Sequence, residues 1–168
     1  MILIAIGSNL STKLGRAPAD TCDWAVERIQ SINGLKLQSR SQWYVSAPIP
    51  PAIPPSSQGS YINGVVRCEG DVNPVWLLRQ LHLIEAEAGR LRSVPNAART
   101  LDLDLIDANG AILQQADLIL PHPRAHLRAF VLQPVRDVAP EWRHPILGQT
   151  AAELLAALPP QQISPLVP

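Results

Sequence analysis

Apolar positions along this chain change period several times, and each change marks an element. Ile2–Ile6 is a short apolar run ending at the turn-forming triplet Gly7-Ser8-Asn9, and it reads as a β-strand. Cys22, Ala25, Val26 and Ile29 follow helical spacing, which predicts a helix over about Ala19–Ile32 that Asn33-Gly34 stops. Leu35–Val45 and Ile62–Glu69 read as strands. Asn73-Pro74 supplies an N-cap with proline in the first turn, and Leu77, Leu81, Ile84 and Ala88 share one face of a helix that Gly89 ends. Leu101–Asp107 alternates strictly, and Asn109-Gly110 predicts a hairpin into Ala111–Leu113. A loop follows at Pro121–Arg124, and a last helical region is expected within Ala125–Val138.

Between the second and third strands, Ser46–Ser60 carries Pro48, Pro50, Pro51, Pro54 and Pro55, so it is neither helix nor central strand. A loop of that length inside one domain is usually functional. The order strand, helix, strand, strand, helix, strand matches a ferredoxin-like split βαβ unit, an α+β antiparallel sheet covered by helices. The 168 residues fit one domain, assigned to 1–158, with 159–168 as a peripheral Pro-rich tail.

Composition narrows the function. Hydrophobic residues make up 46 % and charged residues 17 %, which is globular. Basic and acidic residues number 14 each, so the chain lacks the broad basic field of non-specific nucleic-acid binders. The apolar start is too short for a signal peptide or a membrane span, giving the expectation of a cytoplasmic protein with no membrane partner. Cys22 and Cys68 lie in apolar patterns and read as buried thiols, and the four histidines form no zinc arrangement.

The candidate chemistry lies in Arg99-Thr100-Leu101-Asp102-Leu103-Asp104-Leu105. In a strand the leucines face the core, and Asp102 and Asp104 stand side by side on the other face, roughly 6.6 Å apart at Cα. Taken alone, this reads first as an amphipathic strand with two solvated acids. Its surroundings change that reading. Arg90, Arg92 and Arg99 lie directly upstream, and His122, Arg124 and Arg128 form a second cationic group. Paired carboxylates can hold magnesium ions that bridge substrate phosphates, and guanidinium groups clamp phosphate oxygens. Phe130 could stack on a flat heterocycle, and Tyr61-Ile62-Asn63 offers an aromatic ring and an amide for a base-like edge. No P-loop and no dinucleotide-binding glycine motif occurs.

Together these segments resemble the 6-hydroxymethyl-7,8-dihydropterin pyrophosphokinase family of folate biosynthesis. The matching pieces run in order from about residue 2 to about residue 148: Gly7-Ser8-Asn9-Leu10, Tyr61-x-Asn63, Ile84-Glu85 with Gly89-Arg90-x-Arg92, Arg99-Thr100-Leu101-Asp102-Leu103-Asp104, and Leu120-Pro121-His122 with Arg128-x-Phe130. The resemblance implies a three-layer α-β-α fold and transfer of diphosphate from ATP to the pterin alcohol, with AMP leaving. It implies two magnesium ions on Asp102 and Asp104, with Arg90 and Arg99 assisting transfer. It further implies nucleotide contacts from Glu85, Arg92, His122 and Arg128, and a pterin pocket shaped by Ser46, Tyr61, Asn63 and Phe130. A monomer acting on small molecules is expected, whose segments Ser46–Ser60 and Gly89–Ala98 order on ligand binding. Asn96-Ala97-Ala98, Asp117 and Pro123 depart from residues common in the family, which bears on ATP grip and loop closure. A catalytically weak paralogue that binds pterin or nucleotide is one alternative. An RNA-binding ferredoxin-like module is another, disfavoured because the Leu101–Leu105 strand carries acids and not exposed aromatics.

Overall fold

One six-stranded sheet organises the molecule, with helices against both of its faces. The structure is a computed structural model and describes residues 1–48, 59–89 and 99–167. Most of the proline-rich loop, Arg90, Arg92 and Asn96-Ala97-Ala98 therefore lie outside the described residues, as does the expectation that those segments order with ligand.

The strands of the sheet are β1 (Ile2–Ser8), β2 (Lys36–Arg40), β3 (Tyr44–Ser46), β4 (Tyr61–Glu69), β5 (Asp102–Ala108) and β8 (Ile163–Pro165). They run in the order β5-β1-β4-β3-β8, with β2 also on β4 and every pair antiparallel. Helices α1 (Pro18–Gln30) and α2 (Pro74–Glu87) cover one face. There Ile2, Ile4 and Ile6 of β1 pack with Cys22, Ala25 and Ile29, with Leu77, Leu81 and Ile84, and with Leu101, Leu103 and Leu105. Helices α3 (Ala129–Val138) and α4 (Ala151–Ala157) cover the other, where Leu3, Val65 and Ile106 meet Val131, Leu132, Val135 and Leu154. The α+β, three-layer architecture is the one expected.

The helix starts follow the sequence signals. Asn73 Oδ1 accepts from the amides of Val75 and Trp76, both at 3.0 Å, as its N-cap position predicts. Cys22 and Cys68 are buried and free. Burial pushes their thiols up to about 12 and about 11, so they are inert packing groups.

Several details differ from expectation. The single strand Leu35–Val45 is two strands, because Trp43 leaves the ladder and lays its indole on Gly64. A Cβ on Gly64 would come within 2.4 Å of that ring, so only glycine fits. Alternation in β5 is not strict to its end. The register with β1 shifts between Leu3 and Ile4, so Asp107 joins Ile106 on the α3 face and accepts from Trp142 Nε1 at 2.8 Å. Asn109-Gly110 does turn the chain, with Asn109 at φ 54, but Leu113 does not return along β5. β6 (Leu113–Gln114) pairs instead with β7 (Ile119–Leu120), and a cis peptide bond then joins Leu120 to Pro121. Helix α4 was not expected, although Thr150 and Glu153 form the reciprocal capping box its spacing announces. The tail beyond Leu158 supplies edge strand β8 on β3.

Candidate active site

The site begins as one row of residues across the sheet. Asp102 on β5 pairs in register with Gly7 on β1, Gly7 with Asn63 on β4, and Asn63 with Tyr44 on β3. All four positions belong to the face that α3 covers, since Ile4 and Ile6 turn the opposite way into the first core. A Cβ on Gly7 would lie 3.6 Å from Asn63 Oδ1 and 3.9 Å from Asp102 Cβ. The missing side chain therefore leaves a slot between an amide and a carboxylate.

Asp104 stands two residues along β5 from Asp102, on the same face, as the D-x-D spacing predicts. His122 Nε2 lies 3.8 Å and Arg128 NH1 4.0 Å from Asp104 Oδ2. Asp104 keeps 34 % of its side-chain surface accessible. Burial raises its carboxyl to about 6, with the charges of Asp102 and Glu85 adding to the rise and Arg128 and Arg99 opposing it. Burial lowers His122 to about 4, helped by Arg128 and Arg124. Its Nδ1 accepts from the Arg124 amide at 3.2 Å, so the neutral ring carries its proton on Nε2, facing Asp104. Arg99 pairs with Asp102. Arg128 also lies over the ring of Phe130, 5.4 Å from its centroid, so it links the acids to the aromatic.

Asn63 is oriented by its neighbours. Its Nδ2 donates to Ser46 Oγ at 2.9 Å and to the Tyr61 carbonyl at 3.3 Å, which turns Oδ1 toward the Gly7 slot. Ser46 and Tyr61 pair directly in the β3–β4 register. Tyr61 feels both Arg99 and Asp102, although burial is what chiefly raises its phenol. Glu85 reaches from α2 to the open edge of β5, where its Oε1 accepts from the Leu103 amide at 2.8 Å. Contacts and charges thus link Ser46, Tyr61, Asn63, Glu85, Arg99, Asp102, Asp104, His122, Arg128 and Phe130 into one cluster, while Arg90 and Arg92 fall outside the described residues.

Sequence reasoning missed three supports. Gly7 read only as a turn residue, and its role as a slot depends on partners from two distant strands. Asn9, in the same triplet, binds the main chain of Arg99. Gln161 in the tail accepts from the Ala129 amide at 2.8 Å and donates to the Leu127 carbonyl at 2.9 Å, bracketing Arg128. No local signal could have found the last two, because both partners are remote in sequence.

The donor set suits magnesium. Asp102 and Asp104 offer only carboxylate oxygens, on neighbouring same-face positions, and their mutual repulsion is the kind a divalent ion relieves. Among the described residues no group of three or more His, Cys, Asp or Glu forms a metal cluster, so further ligands would be phosphate oxygens and water. No helix among the described residues is long and apolar enough to cross a membrane.

Comparison with known proteins identifies the family. Residues 3–140 match the family described as 7,8-dihydro-6-hydroxymethylpterin-pyrophosphokinase. A 2-amino-4-hydroxy-6-hydroxymethyldihydropteridine pyrophosphokinase of Synechocystis sp. is 33% identical over 166 residues, covering 99% of this chain and 80% of that protein. Its counterpart in Pseudomonas aeruginosa is 35% identical over 158 residues, covering 94% of this chain and 91% of that protein. The chain spans only 21% of the folic acid synthesis protein fol1 of Pneumocystis carinii, at 32% identity. A crystal structure of Plasmodium falciparum HPPK-DHPS shares the fold with a TM-score of 0.69 at 13% identity, over 92% of this chain and 42% of that one. The chain belongs to the 7,8-dihydro-6-hydroxymethylpterin-pyrophosphokinase family and is an enzyme of the pyrophosphokinase type, a diphosphotransferase of folate biosynthesis.

Proposed function

We propose that this chain transfers diphosphate from ATP to the hydroxymethyl group of 6-hydroxymethyl-7,8-dihydropterin in the cleft over Gly7. The observation that carries the reading is the Asp102–Gly7–Asn63 row, in which a slot joins a carboxylate pair to an oriented amide. Asn63 Oδ1 accepts from the pterin edge, with Ser46 and Tyr61 fixing it, and Phe130 bears on the ring plane. From there the hydroxymethyl group reaches over Gly7 toward Asp102.

On the other side of the slot, Arg128 and the Nε2 proton of neutral His122 meet phosphate oxygens, and Glu85 borders the nucleotide. Arg92 joins them by resemblance. Arg99, and Arg90 by resemblance, stabilise the charge of the transferring group. Asp102 and Asp104 would hold two magnesium ions, which when bound would supply positive charge to the phosphate oxygens. The pterin oxygen forms a bond to the β-phosphorus and gives up its proton to water, while the bond from that phosphorus to the α,β-bridging oxygen breaks and the oxygen departs with AMP.

A catalytically weak paralogue is not favoured, because Asp102, Asp104, Arg99 and Arg128 are all retained around one cleft. The test is product analysis with ATP, magnesium and the reduced pterin alcohol. AMP and pterin diphosphate should appear in equal amounts, and pterin-dependent ADP would reject the assignment.

A further inference from the structure

The β1–β5 ladder ends at the Gly7–Asp102 pair, yet the two segments stay joined beyond it. Asn9 Oδ1 accepts from the Arg99 amide at 2.8 Å, and the Arg99 carbonyl accepts from the amides of Asn9 at 3.2 Å and Leu10 at 3.3 Å. Ser8 Oγ donates to the Thr100 carbonyl at 2.6 Å. Both main-chain polar groups of Arg99 are therefore satisfied by a turn lying 90 positions earlier. Ser8 is fully buried and Asn9 is 7 % exposed, so water does not compete well for these bonds. Gly59 also approaches this turn, since a Cβ there would lie 3.8 Å from the Asn9 carbonyl.

A simple end to a strand would need none of this. Asn and Ser favour turns through bonds to their own neighbours, whereas here both side chains reach across to residues 99 and 100. What they hold is the root of the side chain that pairs with Asp102. Arginine has a long, rotamer-rich stem, and fixing its Cα restricts where the guanidinium can go.

We propose that Asn9, supported by Ser8, is a positioning residue that fixes the Arg99 main chain so that its guanidinium is delivered to the Asp102 side of the cleft. This deepens the proposed function and rests on the reading of Arg99 as a group that assists transfer. Asn9 acts through Arg99 and touches no substrate. Its Nδ2 is buried with no hydrogen-bond partner among the described residues, and the contact with Arg99 is made by the acceptor oxygen.

The test combines turnover, ATP affinity and amide exchange in Asn9→Ala, Asn9→Asp, Arg99→Ala and the Asn9→Ala/Arg99→Ala double variant. A displacement near 1 Å costs about 10²-fold in rate, so Asn9→Ala should lower kcat by about 10- to 100-fold with KM for ATP little changed. The Arg99 amide should lose its exchange protection in that variant. Asn9→Asp keeps an acceptor and should retain both that protection and most of the turnover. The double variant should be no slower than Arg99→Ala, since residues acting through one another are non-additive. Wild-type kcat in Asn9→Ala, or fully multiplicative losses in the double variant, overturns the positioning role alone. Wild-type turnover in Arg99→Ala overturns the reading of Arg99 and this inference with it. Should Asn9→Ala not fold, Asn9→Asp decides: protection of Arg99 with turnover as low as in Arg99→Ala rejects the proposal.

Discussion

The two faces of β1 are built by different rules. On the α1/α2 face the strand presents Ile2, Ile4 and Ile6, all buried and identical in size. On the α3 face the same seven residues present Leu3, Ala5 and Gly7, shrinking steadily toward the Asp102–Asn63 row. One face fills space evenly, as close packing demands. The other tapers, so that the core held by Leu3 gives way to a cleft floored by Gly7. A strand can serve both ends because its period of two separates the faces completely. The lesson is that this site is opened by leaving side chains out as much as by placing charged ones in.

The largest effect should come from the charged side of the tapered face. Asp102→Asn or Asp104→Asn should lower turnover by about 10²–10³-fold, the usual scale for losing one preorganised electrostatic group. Thermal stability without ligand should hold or rise in Asp104→Asn, because burial and Asp102 already oppose that charge. Steady-state kinetics together with melting curves check both. Wild-type turnover in both variants would remove the acids from the chemistry.

A pair of substitutions tests the taper directly. Gly7→Ala puts a methyl group 3.6 Å from Asn63 Oδ1, an ordinary contact, so the fold should tolerate it while the slot is filled. It should lower kcat/KM for the pterin by about 10- to 100-fold, of the order expected when substrate is displaced by about 1 Å. Ile4→Val on the opposite face should do the reverse, costing about 0.5–1.5 kcal/mol of stability with turnover kept. If Gly7→Ala turns over normally, the hydroxymethyl group does not cross there.

The even face was the legible one. Helical spacing at Cys22, Ala25 and Ile29, and at Leu77, Leu81 and Ile84, located α1 and α2, and all six are buried. Alternation placed Leu101, Leu103 and Leu105 inside and the two acids outside. These signals are local and repeat with a period, which is why a sequence displays them. The tapered face depends on remote partners. Gly7 becomes a slot only beside Asn63 and Asp102, Asn9 needs Arg99, and Asp107 reaches Trp142 only because the β5 register slips by one residue. Even on the α1/α2 face, Trp43 breaks a predicted strand because Gly64 on another strand admits its ring. None of these has a period to read.

The two faces also hold their helices differently. Asn73 caps α2 from the position just before it, whereas the first turn of α3 relies on Gln161 from the tail, whose side chain accepts from the Ala129 amide. Gln161→Ala should cost about 1 kcal/mol, the scale of a lost helix cap. Turnover should fall only a few-fold, since Arg128 keeps its chain neighbours. Faster exchange at the Ala129 amide is the direct reading, and unchanged exchange there would show that the tail does not cap α3.

The smallest effect concerns pH and follows from two groups on the tapered face that titrate in opposite senses. Asp104 is raised from 3.8 to about 6, so its folded form binds a proton that the unfolded chain gives up. Its contribution to ligand-free stability is present below the unfolded value and is lost as pH rises through about 6. His122 is lowered from 6.5 to about 4, so its contribution is present above 6.5 and is lost as pH falls through about 4. Across that window the two slopes oppose each other, and the wild-type melting temperature should owe little net change to this pair. Asp104→Asn removes only the first slope. Asp104 does not figure among the causes that lower His122, which are burial, Arg128 and Arg124, so the second slope should survive. The melting temperature of Asp104→Asn should therefore decline more steeply than that of the wild type between pH 6.5 and 4. Catalysis should move the other way in the wild type, with kcat/KM falling as pH drops through about 6, because protonated Asp104 no longer offers a carboxylate. Parallel melting profiles would mean that Asp104 is not held against its charge, and that the cleft wall is more open to water than its neighbours suggest.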